Sequence, residues 1–420
     1  MEQNIDLRQM IMAIETAVSL VGMNDTNHGK RVAYIAVQFG NELGFSDRDL
    51  QYVFELGLLH DCGVSTAQMH SSLVNHFDWQ DAHIHCNIGY QLLHSFKPLA
   101  KFAVPILHHH TLWADLSNFD ISIDDARMAN LIFIADRIDV LAAAHYGTDI
   151  LLAKAEIVQS IVSYSGRYFD PELVNAFQKI ERSEAFWIAL EDRHITRYTW
   201  DMGRLPCTQS LTLEEIKYLA LIMSYIVDQK SPFTAQHSVR VADLAKFIAS
   251  SYGLSLQQCQ KIEIAGLLHD LGKLHIPDNI LEKHGALDVI ERAIMNQHSY
   301  ETYEILRHIE GLADIAQWAA FHHEGINGAG YPFHPKQSEI SVEARILAVA
   351  DVFQALVQQR PYRKGMKMEK VLTIISEQAE SGKLDKEIVK HVIQFATPCY
   401  DIAKGVDPIN NQTCLELFSE

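Results

Sequence analysis

The chain repeats itself. HGKRV, from His28, returns as HSVRV, from His237, and GFSDRDLQYVFELGLLHDCG, from Gly44, returns as GLSLQQCQKIEIAGLLHDLG, from Gly253, both 209 residues later. HCNIGYQLL at His85 returns as HSYETYEIL at His298, and His109-His110 as His322-His323, at an offset of 213. Ala135-Asp136 returns as Ala350-Asp351 at 215, and the tails SGRYFDPELV, from Ser165, and SGKLDKEIV, from Ser381, still correspond. An offset this constant marks a duplicated unit, and loop insertions account for its drift.

Each unit reads as helical. Apolar residues recur at three and four spacing in Val32–Phe39, Leu50–Leu59 and Val342–Leu356, the period of one helix face. Ser255 with Gln258 and Thr212 with Glu215 fit capping boxes. Alternating strand-like runs between tight turns are scarce. The expected fold is all-α, two homologous helical domains in tandem over 1–200 and 201–420. The boundary falls near Trp200–Ser210, where Gly203, Pro206 and polar residues break the pattern.

Composition removes several classes. Of 420 residues, 48% are apolar and 21% charged, ordinary globular usage that argues against a wholly disordered chain. A net charge of −18 disfavours a nucleic-acid polymer as partner, so an anionic ligand needs a local positive pocket. No stretch approaches the ~18 apolar residues of a membrane span. MEQNIDLRQM lacks a secretory pattern. The six cysteines form no C-x-x-C pair and read as reduced thiols. The expected location is cytoplasmic, with no membrane partner.

The chain has 22 histidines, and their placement carries the chemistry. The second copy holds His237, His269, Asp270, His298, His322, His323 and Asp351. Imidazoles and carboxylates are what borderline divalent metals take. Seven donors exceed the need of one tetrahedral ion, whereas two neighbouring ions bridged by an aspartate fit. Taken singly, each has a plainer reading: a satisfied core histidine, a helix cap at Asp270, a polar turn at His322-His323. Asp351 is harder to dismiss, because ARILAVADVFQAL puts a carboxylate on an otherwise apolar helix. The first copy fills the same seven positions with His28, His60, Asp61, His85, His109, His110 and Asp136. Joint recurrence outweighs the plain readings.

On these residues the second copy resembles the HD-GYP subgroup of the HD-domain metallophosphohydrolases, from about Ser231 to Phe395. The resemblance rests on His269-Asp270 within HDLGK, on HHEGINGAGYP from His322 to Pro332, and on DVFQALVQQRPYRK from Asp351. It implies a phosphodiesterase that opens 3′,3′-linked cyclic dinucleotides, 3′,3′-cyclic GMP-AMP or cyclic di-GMP, to the linear 5′-phosphorylated dinucleotide. The tandem arrangement leans toward the mixed one. It also implies that the seven residues are metal ligands and that Asp270 is the bridging and catalytic carboxylate. Two divalent ions are expected, iron or manganese first, with nickel, zinc or magnesium also admissible. Members with three metals carry a Glu four residues before the first His; Phe233 stands there.

In the expected reaction, paired ions lower the pKa of a bridging water, giving hydroxide, and clamp the phosphate oxygens. Lys273 lies three residues after Asp270 and could reach the phosphate, although a solvated lysine would look the same. Arg360, Arg363 and Lys364 form a basic cluster suited to a second phosphate. Gly325, Gly328 and Gly330 permit unusual backbone and close approach to a ligand, and Tyr331 could stack or anchor. Gly330 and Tyr331 are counted with the substrate contacts, and the loop could meet a protein partner or a second copy in a homodimer.

The first copy keeps its donors and loses the rest. Val64 replaces the lysine, Thr111 the glutamate, no GYP loop follows, and His145 falls at the place of Arg360. A degenerate domain holding a non-catalytic metal is expected. The alternatives for the whole chain are a non-catalytic cyclic-dinucleotide sensor and a mononucleotide phosphohydrolase.

Overall fold

A computed structural model describes residues 5–21, 27–64, 66, 69, 73, 82–204, 210–230, 236–359 and 365–405. The fold is all-α. Among the described residues the extended structure is one short antiparallel pair, Ile5–Asp6 with Ser210–Leu211, and an isolated bridge from Ser165 to Phe169. No helix there is long and apolar enough to cross a membrane. Contacts divide the chain into two compact units, one built on Thr208–Leu417 with Met1–Ala13, the other on Ile14–Cys207. The division falls inside the first helix, Leu7–Ser19.

The helices recur in the same order. His28–Glu42, Asp47–Leu59, His83–His94, Ala100–His108 and Ile123–Ala142 correspond to His237–Tyr252, Leu256–Leu268, His298–Leu306, Ala313–Ala320 and Val342–Val357. Caps recur with them. Ser46 and Ser255 each accept a backbone N–H at the start of the second helix of their set, and Asp170 and Asp385 do so before Pro171–Ile180 and Lys386–Gln394. Both expected capping boxes form, Ser255 with Gln258 and Thr212 with Glu215. The described cysteines Cys62, Cys86, Cys259 and Cys399 are free and buried. Cys207 and Cys414 lie outside the described residues.

Glycines set how closely these helices approach. A Cβ at Gly57 would sit 2.6 Å from the Ala33 Cα, and one at Gly266 would sit 2.7 Å from the Ala242 Cα. The crossing that brings the first histidine of each set toward the GLLHD segment therefore demands glycine in both copies. A Cβ at Gly63 or Gly272 would meet the carbonyl oxygen of His85 or His298 at 2.0 Å. The second glycine of GLLHDxG thus lets this turn pack directly against the start of the next histidine-bearing helix.

Candidate metal centre

The seven donors of the second copy come from separate elements and meet. His237 and His298 open their helices, His269 caps the end of Leu256–Leu268, His322 and His323 follow Ala313–Ala320, and Asp351 lies within Val342–Val357. Asp270 precedes the 3-10 turn Leu271–His275 and makes no capping bond, which removes its plain reading as a helix cap. One oxygen of Asp270, Oδ2, lies 3.5 Å from His237 Nε2 and 3.3 Å from His269 Nε2. The other, Oδ1, lies 3.6 Å from His298 Nε2 and 3.9 Å from His322 Nε2. Asp351 Oδ1 is 3.4 Å from His237 Nε2 and 3.8 Å from His269 Nε2. The His323 ring centroid is 4.0 Å from that of His322. Two donor groups, His237–His269–Asp351 and His298–His322–His323, therefore share one carboxylate, one oxygen to each.

Several rings are turned so that Nε2 points inward. Nδ1 of His269, His298 and His322 hydrogen-bonds the carbonyl oxygen three residues earlier, on Gly266, Met295 and Ala319, at 2.7, 2.6 and 2.6 Å. An Nδ1–H donated to a carbonyl leaves the Nε2 lone pair free. His269 Nε2 is buried with no hydrogen-bond partner, an expensive state for a polar atom unless something else occupies it. Burial lowers His298 to about 4 and His323 to about 3, and His322 well below the ordinary histidine range, so these rings are neutral near pH 7. Burial alone would raise Asp270, but His269 and Lys273 beside it hold it well below the usual carboxylate range. Asp351 is likewise held down, by His237 and His269. Neutral imidazoles at His298, His322 and His323 and ionised carboxylates at Asp270 and Asp351 are the states metal binding requires, whereas Asp270 and Asp351 raise His269, a proton that a bound cation would displace; with that exchange this donor set could hold divalent metals.

Lys273 Nζ reaches Asp270 Oδ2 at 2.5 Å, beside the donors. The Tyr331 ring centroid is 4.9 Å from that of His323, and its N–H donates to the His323 carbonyl at 3.3 Å. Gly330 owes its identity to its own loop: a Cβ there would lie 2.5 Å from Glu324 Cα and from the His323 oxygen. Gly328 has a φ of 74°. Phe233, Arg360, Arg363 and Lys364 lie outside the described residues.

Two supporting residues, Gln354 and Thr302, escaped the sequence reading, and the structure gives the signature glutamate Glu324 its partners. Gln354 Oε1 is 2.5 Å from His237 Nδ1; its signal was a second polar residue on the apolar Asp351 helix, three positions on and hence on one face. Thr302 donates to the His269 carbonyl and accepts from Gly272 N–H, at 3.1 and 2.9 Å. Glu324 Oε1 accepts from the N–H groups of Phe333 and His334 at 2.6 and 3.2 Å, which ties the GYP loop to the histidine pair. Gln354→Leu should lower metal affinity about 10- to 100-fold, the usual cost of losing a partner to a ligand's second nitrogen, as read by manganese titration. Unaltered affinity would mean that the ring is oriented by packing alone.

The first copy repeats the gathering with other neighbours. Asp61 Oδ1 lies 3.3 Å from His85 Nε2, and Oδ2 lies 3.5 and 3.7 Å from Nε2 of His60 and His28. Asp136 lies 3.3 Å from His28 and 3.7 Å from His110, and His109 Nε2 is 3.1 Å from His85 Nε2. Here the Gln354 position is Asp139, whose carboxylate takes His28 Nδ1 at 2.7 Å and Arg31 Nε at 2.7 Å. Val64 is fully buried, so no lysine reaches this cluster from the HDxG turn.

The HD domain family matches residues 221–388 and again 26–144. A 3'3'-cGAMP-specific phosphodiesterase 1 of Vibrio cholerae is 36% identical over 97% of this chain and 96% of that protein. The 3'3'-cGAMP-specific phosphodiesterase 3 of the same organism is 35% identical over 53% of this chain and 48% of its own length. A cyclic di-GMP phosphodiesterase of Thermotoga maritima is 35% identical over 43% of this chain and 50% of its own. The crystal structure of a V. cholerae cyclic GMP-AMP specific phosphodiesterase superposes with a TM-score of 0.64 at 24% identity, covering 98% of this chain and all of that one. That likeness speaks to the fold.

Proposed function

The chain belongs to the HD-GYP family of HD-domain phosphodiesterases, and from that premise we propose that it hydrolyses 3′,3′-linked cyclic dinucleotides, 3′,3′-cyclic GMP-AMP before cyclic di-GMP, to the linear 5′-phosphorylated dinucleotide. The catalytic domain is 201–420 and the supporting domain 1–200. The observation that carries this reading is Asp270, whose two oxygens face two different histidine groups. The order of substrates follows the V. cholerae relative aligned along almost its whole length.

In this reading His237, His269, Asp270, Asp351, His298, His322 and His323 would hold two divalent ions, iron or manganese. When bound, such ions lower the pKa of water and neutralise phosphate oxygens. The chain supplies the rest. Six donors around Asp270 fix where the phosphate can sit, and the neutral rings keep their lone pairs for coordination. The Lys273 ammonium, already at the site, is placed to exchange its bond to Asp270 for a phosphate oxygen and to offset charge there. Tyr331 and Gly330 hold the loop against His323, with Tyr331 available to the substrate. Arg360, Arg363 and Lys364 are reserved for the second phosphate. The free cysteines support a cytoplasmic setting. The exposed loop tip at Asn327–Ala329 is the face assigned to a homodimer or a protein partner.

Incubation of the manganese-loaded protein with each cyclic dinucleotide, followed by chromatography, should give linear dinucleotide. Tight binding of intact substrate without product would instead mark a sensor, and turnover confined to mononucleotides would overturn the substrate assignment. The first copy is proposed to be non-catalytic, holding a metal at His28, His60, Asp61, His85, His109, His110 and Asp136. His60→Ala with Asp61→Ala should then leave turnover within about threefold while lowering total bound metal. Complete loss of turnover in a folded protein would assign the first copy a part in the reaction.

A further inference from the structure

Beside His322, His323 and Asp351 lies a recess of about 250 Å³. Val352, Ala355 and Leu356, on one face of the Asp351 helix, and Leu384 form an apolar wall, and Lys383 stands at the rim. Pockets for whole drug-sized ligands measure roughly 300–1,000 Å³, so this one takes part of a cyclic dinucleotide. Its construction suits one nucleotide half, with the phosphate toward the metal donors and the base along the apolar wall. Lys383 is exposed and makes no ion pair among the described residues. An ammonium only donates, and guanine presents two acceptors, O6 and N7, on one edge where adenine pairs one acceptor with a donor.

We infer that this recess is a guanine-binding subsite, with the apolar wall under the base and Lys383 on its O6/N7 edge. The inference rests on the proposed function and adds the residues that choose the base. The turn bearing Lys383 is held before any ligand arrives. Asn327 Nδ2 donates to the Ser381 carbonyl at 2.8 Å, and Asn327 N–H to that of Gly382 at 3.0 Å, so the wall is joined to the loop that follows the histidine pair. Preorganisation of this kind reduces the ordering cost of binding.

The first copy supplies an internal control. The position of Val352 is there Arg137, buried, with Nε and Nη2 on Asp136 Oδ2 at 3.1 and 2.8 Å. The position of Ala348 is Phe133, whose ring lies 5.2 Å from that of His110 and 5.4 Å from that of Phe169. The first copy thus carries a paired guanidinium at the sequence position where Val352 lines the recess of the second.

The test compares steady-state kinetics on 3′,3′-cyclic GMP-AMP, cyclic di-GMP, cyclic di-AMP and bis(p-nitrophenyl) phosphate, which has no base. Lys383→Glu should raise KM for the two guanine substrates about tenfold, the order expected for one lysine–guanine contact, with kcat within about threefold and a clearly smaller rise for the other two substrates. Val352→Phe, at a half-buried position, should raise KM for all the cyclic dinucleotides by narrowing the recess, again more than for bis(p-nitrophenyl) phosphate. Guanine-substrate KM values within twofold of the parent in both variants would overturn the subsite, as would equal rises on all four substrates. A parent protein that cleaves bis(p-nitrophenyl) phosphate but no cyclic dinucleotide would overturn the proposed function itself.

Discussion

Asp270→Ala is expected to reduce turnover of the preferred cyclic dinucleotide by at least about 10³-fold and to lower bound metal in the second unit. Among the described residues Asp270 is the one whose two oxygens address both histidine groups of the second copy, so its loss affects both positions together. Charge stabilisation of this type is worth several kcal/mol in a transition state, and each ~1.4 kcal/mol is tenfold in rate. The substitution also leaves the half-buried Lys273 ammonium without its carboxylate, which costs stability in proportion to its burial. Asp270→Asn separates the two effects, because it keeps the volume and one oxygen while losing the charge. Circular dichroism on each variant guards against simple unfolding. Turnover within tenfold of the parent for a folded Asp270→Ala protein would remove the shared-carboxylate reading.

Stripping metal should be nearly as severe. Chelated, dialysed protein is expected to lose turnover below about 1% of the starting value, and manganese or iron should restore it. An ion present at 100 to 1,000 times its Kd stabilises the folded state by about 3–4 kcal/mol. At about 2–4 °C per kcal/mol for domains of this size, the second unit should melt about 5–15 °C lower when stripped. The cause is visible in the site: buried Asp270 and Asp351 are ionised by their neighbours, and His269 Nε2, 3.3 Å from Asp270, is buried without a well-formed hydrogen bond. Full activity after chelation, with no change in melting, would reduce the cluster to a hydrogen-bonded core.

Much of this was legible in the sequence because the chain states its constraints twice. The repeat fixed which histidines and aspartates belonged together, and the structure gathers all seven in each copy. Helix type and both capping boxes followed from period and local chemistry. Other features depended on distance in space. Nothing in the spacing of Gln354, Thr302 or Glu324 says which backbone or ring nitrogen each will meet, since those partners lie on other elements. Gly330 illustrates the same limit from the other side. Its sequence context suggested closeness to a ligand, while the close approach the structure contains is to the chain's own backbone at His323 and Glu324. The helix Leu7–Ser19 gave no hint that the contact division would fall within it.

The glycine crossings at Gly57 and Gly266 have a consequence for how such a protein can diverge. A contact between two backbones with no side chain between them tolerates almost no substitution, so the relative placement of the donor-bearing helices is inherited as a fixed frame. Residues on the outer side of that frame are under no such restraint. In this chain the first copy accordingly keeps the close glycine crossing and all seven donors, while Val64 stands at the place of Lys273 and Arg137 at that of Val352.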